Sequence, residues 1–169
     1  MEARDLLQAH SQPFELTLRI RHPSMDPAEI SRVLRLQAEH SFKAGEPRES
    51  ISGIAATSVH SESYWLGTLE PATFSSFDLS FPDRPRFALA KERLQSMVSE
   101  SLSMALTLCT SSFLRTHADF VRRVQTEGGE VSLLVELSPQ ALHGFTLTPQ
   151  VGRALSDLGV TVEFEIGES

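Results

Sequence analysis

The sequence predicts a single α+β domain of two layers: a mixed or antiparallel sheet of about five to seven strands, with helices packed on one face. Three observations predict it. Short segments with strict two-residue alternation stand near both ends of the chain. Between and beside them lie segments whose apolar residues recur at helical spacing. The strand-like segments at both ends alternate apolar with charged residues, so one sheet face is wet. The chain of 169 residues fits one domain, since domains commonly run about 100–200 residues. At this size a chain buries roughly two-thirds of its unfolded surface and needs neither disulfide nor metal to hold a core.

Residues 1–13 read as a short N-terminal tail and 14–169 as the domain. Phe14, Leu16, Leu18 and Ile20 alternate with Glu15, Thr17, Arg19 and Arg21, the pattern of a half-buried strand. Asp26 reads as a helix N-cap and Pro27 as the first helical residue, where a missing N–H costs nothing. Glu29 suits the positive end of that helix, and Ile30, Val33 and Leu34 form its apolar stripe. Residues 38–53 are turn-rich and charged, and read as a loop. Ile54–Val59 and Ser63–Leu69 read as two strands, and Phe77–Phe81 as a short strand within a proline-rich connection.

The longest predicted helix carries Leu94, Met97, Val98, Leu102, Ala105, Leu106 and Cys109 on one face. A second runs through Phe113, His117, Phe120, Val121 and Val124 and stops at Gly128-Gly129. Val131–Leu137 is a strand. Thr148 caps a last helix with Pro149 at its first position, Val151, Leu155 and Leu158 as its stripe and Gly159 as its stop. Val160–Ile166 closes the chain as a strand. The two strand–capped-helix units near the ends echo each other, which fits either a pseudo-duplication or two junctions of a common kind.

Composition narrows function by exclusion. Fifteen basic residues face 22 acidic ones, for a net charge of −7. The first 86 residues carry 9 basic against 12 acidic, and the remainder 6 against 10, so the negative balance is diffuse. Such a field repels phosphate backbones and anionic headgroups and favours a basic protein or a small molecule as partner. Nucleic acid and membrane are not expected as partners, and the oligomeric state stays open. One cysteine, Cys109, forbids an intrachain disulfide and fits a reducing compartment. The first residues are acidic where a secretory signal is basic and apolar. No run approaches the roughly 20 apolar residues of a membrane helix. Cytoplasmic residence is the expectation.

No constellation announces catalysis. None of the six histidines stands at i, i+3 or i+4 from another, and none pairs with a cysteine at metal-ligand spacing. His117 falls on an apolar helix face and reads as a core or half-buried residue. No nucleophile elbow, Walker loop or dinucleotide fingerprint is present. Cys109 lies on a packed helix face, where burial raises a thiol pKa and makes it a poor nucleophile. The sequence therefore points to no catalytic residue, no metal site and no cofactor. One patch remains as a ligand-binding candidate: Lys43, Gly45 and Arg48, with Trp65 after them. A glycine and two cations in a loop suit an anion, and the aromatic pair Tyr64-Trp65 could wall a pocket. The competing reading is a solvated turn plus one core tryptophan.

In several of these elements the chain resembles a bacterial family catalogued as domain of unknown function 4279. The resemblance rests on Leu16-Thr17-Leu18-Arg19-Ile20, Asp26-Pro27-Ala28-Glu29-Ile30 and Leu34, then Lys43-Ala44-Gly45-Glu46-Pro47-Arg48 and the isolated Trp65. It ends with Gly128-Gly129, the strand 131–137, and Leu158-Gly159-Val160 with Val162, and so spans about residues 14–166. The chain departs from the family at two points. Leu34-Arg35-Leu36-Gln37-Ala38 stands where the family has Leu-Gly-x-x-Pro, and Glu165-Ile166-Gly167 where it often closes on tyrosine. The resemblance implies an α+β bacterial domain and carries no activity. Three functional expectations follow: a non-enzymatic protein-binding module, in its sharper form an immunity-type protein neutralising a toxin; a small-molecule or anion sensor; or an enzyme whose site assembles only in three dimensions.

Overall fold

In a computed structural model of the chain, residues 14–48, 58–70, 101–138 and 146–166 are described. Five strands form one sheet in the order β2-β3-β1-β4-β5. They are β1 (Phe14–His22), β2 (His40–Phe42), β3 (Ser63–Thr68), β4 (Glu130–Leu137) and β5 (Thr161–Ile166). The helices are α1 (Pro27–Leu34), α2 (Leu102–Leu108), α3 (Ala118–Thr126) and α4 (Pro149–Leu158), with a π-helical segment, Cys109–Leu114, following α2. The sheet is mixed: β1 pairs antiparallel with β3 and β4, β2 antiparallel with β3, and β5 parallel with β4. This is the α+β architecture the alternation predicts.

Alternation decides which side of the sheet is buried. Phe14, Leu16, Leu18 and Ile20 of β1 and Val131, Leu133 and Val135 of β4 point to the helix side and are buried. They share one core with Ile30 and Leu34 of α1, Ala105 and Leu106 of α2, Val121 and Val124 of α3, and Val151 and Leu155 of α4. Each buried Val, Leu, Ile or Phe side chain among them contributes about 1.5–3 kcal/mol by leaving water. Trp65 of β3 is 0% exposed, and its Nε1–H donates to Ser31 Oγ of α1 at 2.9 Å. That bond satisfies the one polar atom of the indole and ties β3 to α1. Gly67, on the same face two residues on, leaves room for the ring. A Cβ there would lie 2.5 Å from Trp65 Cη2 and 3.0 Å from the Gln37 carbonyl oxygen.

The caps follow the sequence. Asp26 Oδ1 accepts from Ala28 N at 2.9 Å ahead of Pro27, and Thr148 Oγ1 accepts from Val151 N at 3.4 Å ahead of Pro149. α4 ends on Gly159 at φ 62, a left-handed cap with Val160 N bonded to Leu155 O. α1 ends on the same left-handed conformation, but the residue there is Arg35, at φ 55 and ψ 36. The two units thus echo each other through their caps. Their sheet contexts differ, because β5 lies parallel beside β4 while β3 runs antiparallel beside β1.

Three expectations change. The loop read over 38–53 contains β2, a three-residue strand held by pairing with Leu66, Trp65 and Tyr64. A segment this short has too little alternation to declare itself. The helix read from Leu94 to Cys109 begins, among the described residues, only at Leu102. Ser101 is extended (φ −126, ψ 103) and its hydroxyl accepts from Met104 N, since a serine oxygen can take an amide that the preceding turn leaves unpaired. The π segment then carries this helix on towards α3, where a separate second helix was expected. Of the strand read over Ile54–Val59, only Ser58 and Val59 are described, and Val59 makes a single bridge to Pro47. Residues 1–13, Leu94–Glu100 and the strand read at Phe77–Phe81 lie outside the described residues.

Candidate functional site

The predicted ligand patch does not converge. Lys43 Nζ bonds Asp26 Oδ2 at 2.8 Å, which lifts the lysine above its usual pKa and, together with the Ala28 amide, holds the carboxyl below its own. Gly45 sits in a turn at φ 85, and Arg48 is exposed. The amides that might have cradled an anion are taken. Lys43 N donates to Glu46 Oε2, Ala44 N to Ser63 Oγ, Gly45 N to His60 O and Glu46 N to Lys43 O. Glu46 places its own carboxylate where a bound anion would lie. Trp65 is sealed in the core. The expected aromatic wall fails for an elementary reason: neighbours on a strand point to opposite faces, so Trp65 goes in and Tyr64 goes out. None of the four predicted residues lines either groove described below.

The structure gathers chemistry instead on the side of the sheet opposite the described helices. Pairing places Phe42 beside Tyr64, Tyr64 beside Arg21, and Arg21 beside Glu130 in one row across four strands. The Phe42 ring lies between His60 (centroids 3.7 Å apart) and Tyr64 (5.1 Å), both near parallel. His40 meets Phe42 and Tyr64 edge-on at 5.8 Å. Half-burial in this stack raises the Tyr64 phenol above its ordinary pKa. Six carboxylates share the face: Glu15, Glu62, Glu130, Glu136, Glu163 and Glu165. Among the described residues only two cations, Arg19 and Arg21, stand with them. Arg19 is committed to Glu163 and Arg21 to Glu62, with Arg21 Nη1 also 3.7 Å from Glu130 Oε2. The face is therefore net acidic even after its internal pairing.

Two polar grooves open at the end of this face where β1 stops and β4 begins. One, of about 440 Å³, runs past Arg19, Ser132, Thr161 and Glu163 to Gln125 and Gly159; the other, of about 280 Å³, lies by Arg21, His22, Ser61 and Glu62. Both include Arg21 and Glu130. His22 is buried behind the second groove. Its Nδ1 accepts from Ser24 N at 3.1 Å and Met25 N at 2.8 Å, which places the ring proton on Nε2, 3.3 Å from Glu127 Oε2. A ring so held has no lone pair free for a metal ion. Among the described residues no group of three or more His, Cys, Asp or Glu side chains is placed to hold one.

Sequence reasoning missed the aromatic stack because its members are brought together only by strand pairing: Phe42 stood in a presumed loop, and His60 lay between two predicted strands. Cys109 is 0% exposed, and burial pushes its thiol up to about 12, in line with its reading as a core residue. His117 is half-buried, with Nδ1 2.9 Å from the Phe113 carbonyl oxygen. No helix among the described residues is long and apolar enough to cross a membrane. No protein-family model, curated protein or solved structure matches the chain.

Proposed function

We propose that this chain is a non-enzymatic protein-binding module whose acidic sheet face, opposite the described helices, takes up a basic partner. In its sharper form it is an immunity-type protein that neutralises a basic toxin domain, and it belongs with the bacterial, cytoplasmic domains of the family it resembles. The observation that carries the reading is the composition of that face: six carboxylates, two arginines already paired within the protein, and a half-exposed aromatic stack beside them. Carboxylates supply long-range attraction for Lys and Arg and speed encounter. The half-exposed Tyr64 ring, at the end of that stack, offers a guanidinium or ammonium a second, short-range contact worth about 0.5–1 kcal/mol at an exposed site. The sensor reading built on Lys43, Gly45, Arg48 and Trp65 draws no support from the geometry, since Glu46 fills the turn and the indole is enclosed.

The test is co-expression with the product of each reading frame beside the native gene. The expected outcome is a stable complex with one of them, and protection of growth where that product is toxic. The affinity should fall steeply with salt and by about tenfold or more in Glu136→Lys/Glu130→Lys, the scale expected when charge pairs across an interface are lost. A neighbour set in which none binds and none is neutralised overturns the immunity reading. A complex indifferent to salt and to both substitutions removes the acidic face from it.

A further inference from the structure

Two neighbouring rows of the sheet build the floor of the larger groove. Arg19, Ser132 and Thr161 stand side by side across β1, β4 and β5, and Arg21 stands beside Glu130 in the next row. The groove holds about 440 Å³, within the roughly 300–1,000 Å³ of small-molecule sites. Among its described lining residues the one apolar side chain is that of Val131, which is turned into the core, so an apolar ligand finds no wall. Two arginines and two glutamates line it. Their charges cancel, and neither an anion nor a cation meets a surplus of the opposite sign.

Ion pairing does not exhaust these groups. Arg19 Nη2 bonds Glu163 Oε1, which leaves Glu163 Oε2 without a donor among the described residues. Arg19 Nε is buried and donates to nothing. Buried donors are ordinarily paired, so an unpaired one on the wall of a groove points to an acceptor that binds there. Arg21 Nη1 and Glu130 Oε2 are 3.7 Å apart. That is too far for a direct hydrogen bond and close enough for one hydroxyl to accept from the arginine and donate to the glutamate. Ser132 Oγ accepts from Arg19 Nη2 at 3.4 Å, while its own proton and the Thr161 hydroxyl have no partner among the described residues. The far wall is fixed in advance: Gln125 Nε2 donates to the carbonyls of Leu158 and Gly159, both at 2.8 Å.

We propose that this groove binds a neutral cyclic polyol, a monosaccharide or an inositol, with one hydroxyl bridging Arg21 and Glu130 and its neighbours meeting Ser132, Thr161 and Glu163 Oε2. A hydroxyl both donates and accepts, so a ring of them engages paired ions without parting them, and Arg19 stays with Glu163 throughout. The site is independent of the basic-partner reading: it depends on balanced charge, where that reading depends on a surplus of carboxylates.

The experiment is an NMR titration of the full chain with D-glucose, D-galactose, D-mannose and myo-inositol in turn, with glucose 6-phosphate and glucosamine as charged comparators. At least one neutral probe should shift the Ser132 and Thr161 amides, the Gln125 side-chain amide and the Arg19 Nε–H, saturably and with a millimolar Kd. The probe that binds best distinguishes a sugar from an inositol as the ligand. Neither comparator should bind more tightly than that probe. Thr161→Val, at an exposed position, should weaken binding about threefold to tenfold, the fold-change of one neutral hydrogen bond. Lys43→Ala, away from the groove, should leave it unchanged, and the spectra of β2, β3 and α1 verify that both variants are folded. No saturable shift from any neutral probe, tighter binding of either comparator, shifts centred outside the groove, or full affinity in Thr161→Val overturns the proposal. The co-expression test of the acidic face stands or falls separately.

Discussion

Replacing Arg35 by glycine should make the protein more stable, although it removes a side chain and replaces it with nothing. Arg35 ends α1 in the left-handed region, at φ 55 and ψ 36, with its N–H and that of Leu36 both bonded to Ser31 O. An L-residue with a Cβ holds this conformation at a cost of about 1–2 kcal/mol, because Cβ crowds the following carbonyl. Glycine avoids that crowding but loses more freedom on folding, about 0.5–1 kcal/mol. The side chain offers little in return: it is exposed and has no hydrogen-bond or ion-pair partner among the described residues. The difference predicts a gain of about 0.5–1 kcal/mol, or roughly 1–4 °C in Tm for a domain of this size. The assay is reversible thermal and urea unfolding followed by far-UV circular dichroism. Arg35→Ala is the control, because it removes the charge and keeps the Cβ, and it should gain nothing. The reverse change at the other cap, Gly159→Ala, should lose about 1 kcal/mol or more, because a Cβ at φ 62 is strained and would also meet Gln125 Nε2 at 2.9 Å. An Arg35→Gly protein no more stable than the parent, or an Arg35→Ala protein equally stabilised, refutes the reasoning.

Other perturbations test the core and its charges. Gly67→Ala should destabilise by about 1–3 kcal/mol, the usual cost of overpacking, and shift the emission of the single tryptophan, because the added methyl collides with the indole ring; unchanged emission would show that Trp65 does not lie across Gly67. Cys109 should not react with a thiol reagent in native buffer over pH 7–9 and should react at the rate of unfolding once urea is added, since its thiol is enclosed and held near 12; rapid native labelling would place it elsewhere. Asp26 links stability to acid. Its folded pKa is depressed, first by the Lys43 hydrogen bond and then by the Ala28 amide, so its contribution is present above its unfolded value of about 3.9 and is lost as pH falls through the folded value. Asp26→Asn should flatten the stability–pH curve below about pH 4 and leave its slope near neutrality alone, and a curve of unaltered acid slope would count against the pairing.

Most of the fold was legible because its signals are local. The alternation of β1, β4 and β5, the Asp26-Pro27 and Thr148-Pro149 starts and the Gly159 stop each depend on a few adjacent residues and on backbone sterics. What the sequence concealed depends on partners. β2 is a strand only because β3 pairs with it, and a three-residue segment carries no period of its own. The π segment hides because one wider turn simply moves the apolar stripe on by a residue, leaving Cys109, Phe113 and Leu114 buried as a plain helix would. The candidate site was the least legible part. Lys43 and Arg48 looked free because their chemistry is that of an anion site. Whether Lys43 is free turns on Asp26, 17 residues away, and whether the turn can hold an anion turns on a carboxylate folded back from Glu46. A wet face was predicted from the alternation, but its rows of Phe42, Tyr64 and Arg21, or Glu15, Glu136 and Glu165, were not, because they exist only once the strand register is set.

The position of β1 in the sheet has a consequence for how the chain is made. β1 is central, and its partner β4 lies far along the sequence; Arg19 and Ser132, side by side in the sheet, are 113 residues apart. At about 5–20 residues per second, β1 leaves the ribosome roughly 5–25 s before β4 exists to pair with it. During that interval Phe14, Leu16, Leu18 and Ile20 have, among the described strands, only β3 beside them, and the core they share with α1, α2 and α3 still lacks β4 and α4. The sheet therefore closes late and over long loops, which makes for slow folding. β1 is the strand that waits longest, so the nascent chain is the form of this protein with the greatest need of a chaperone.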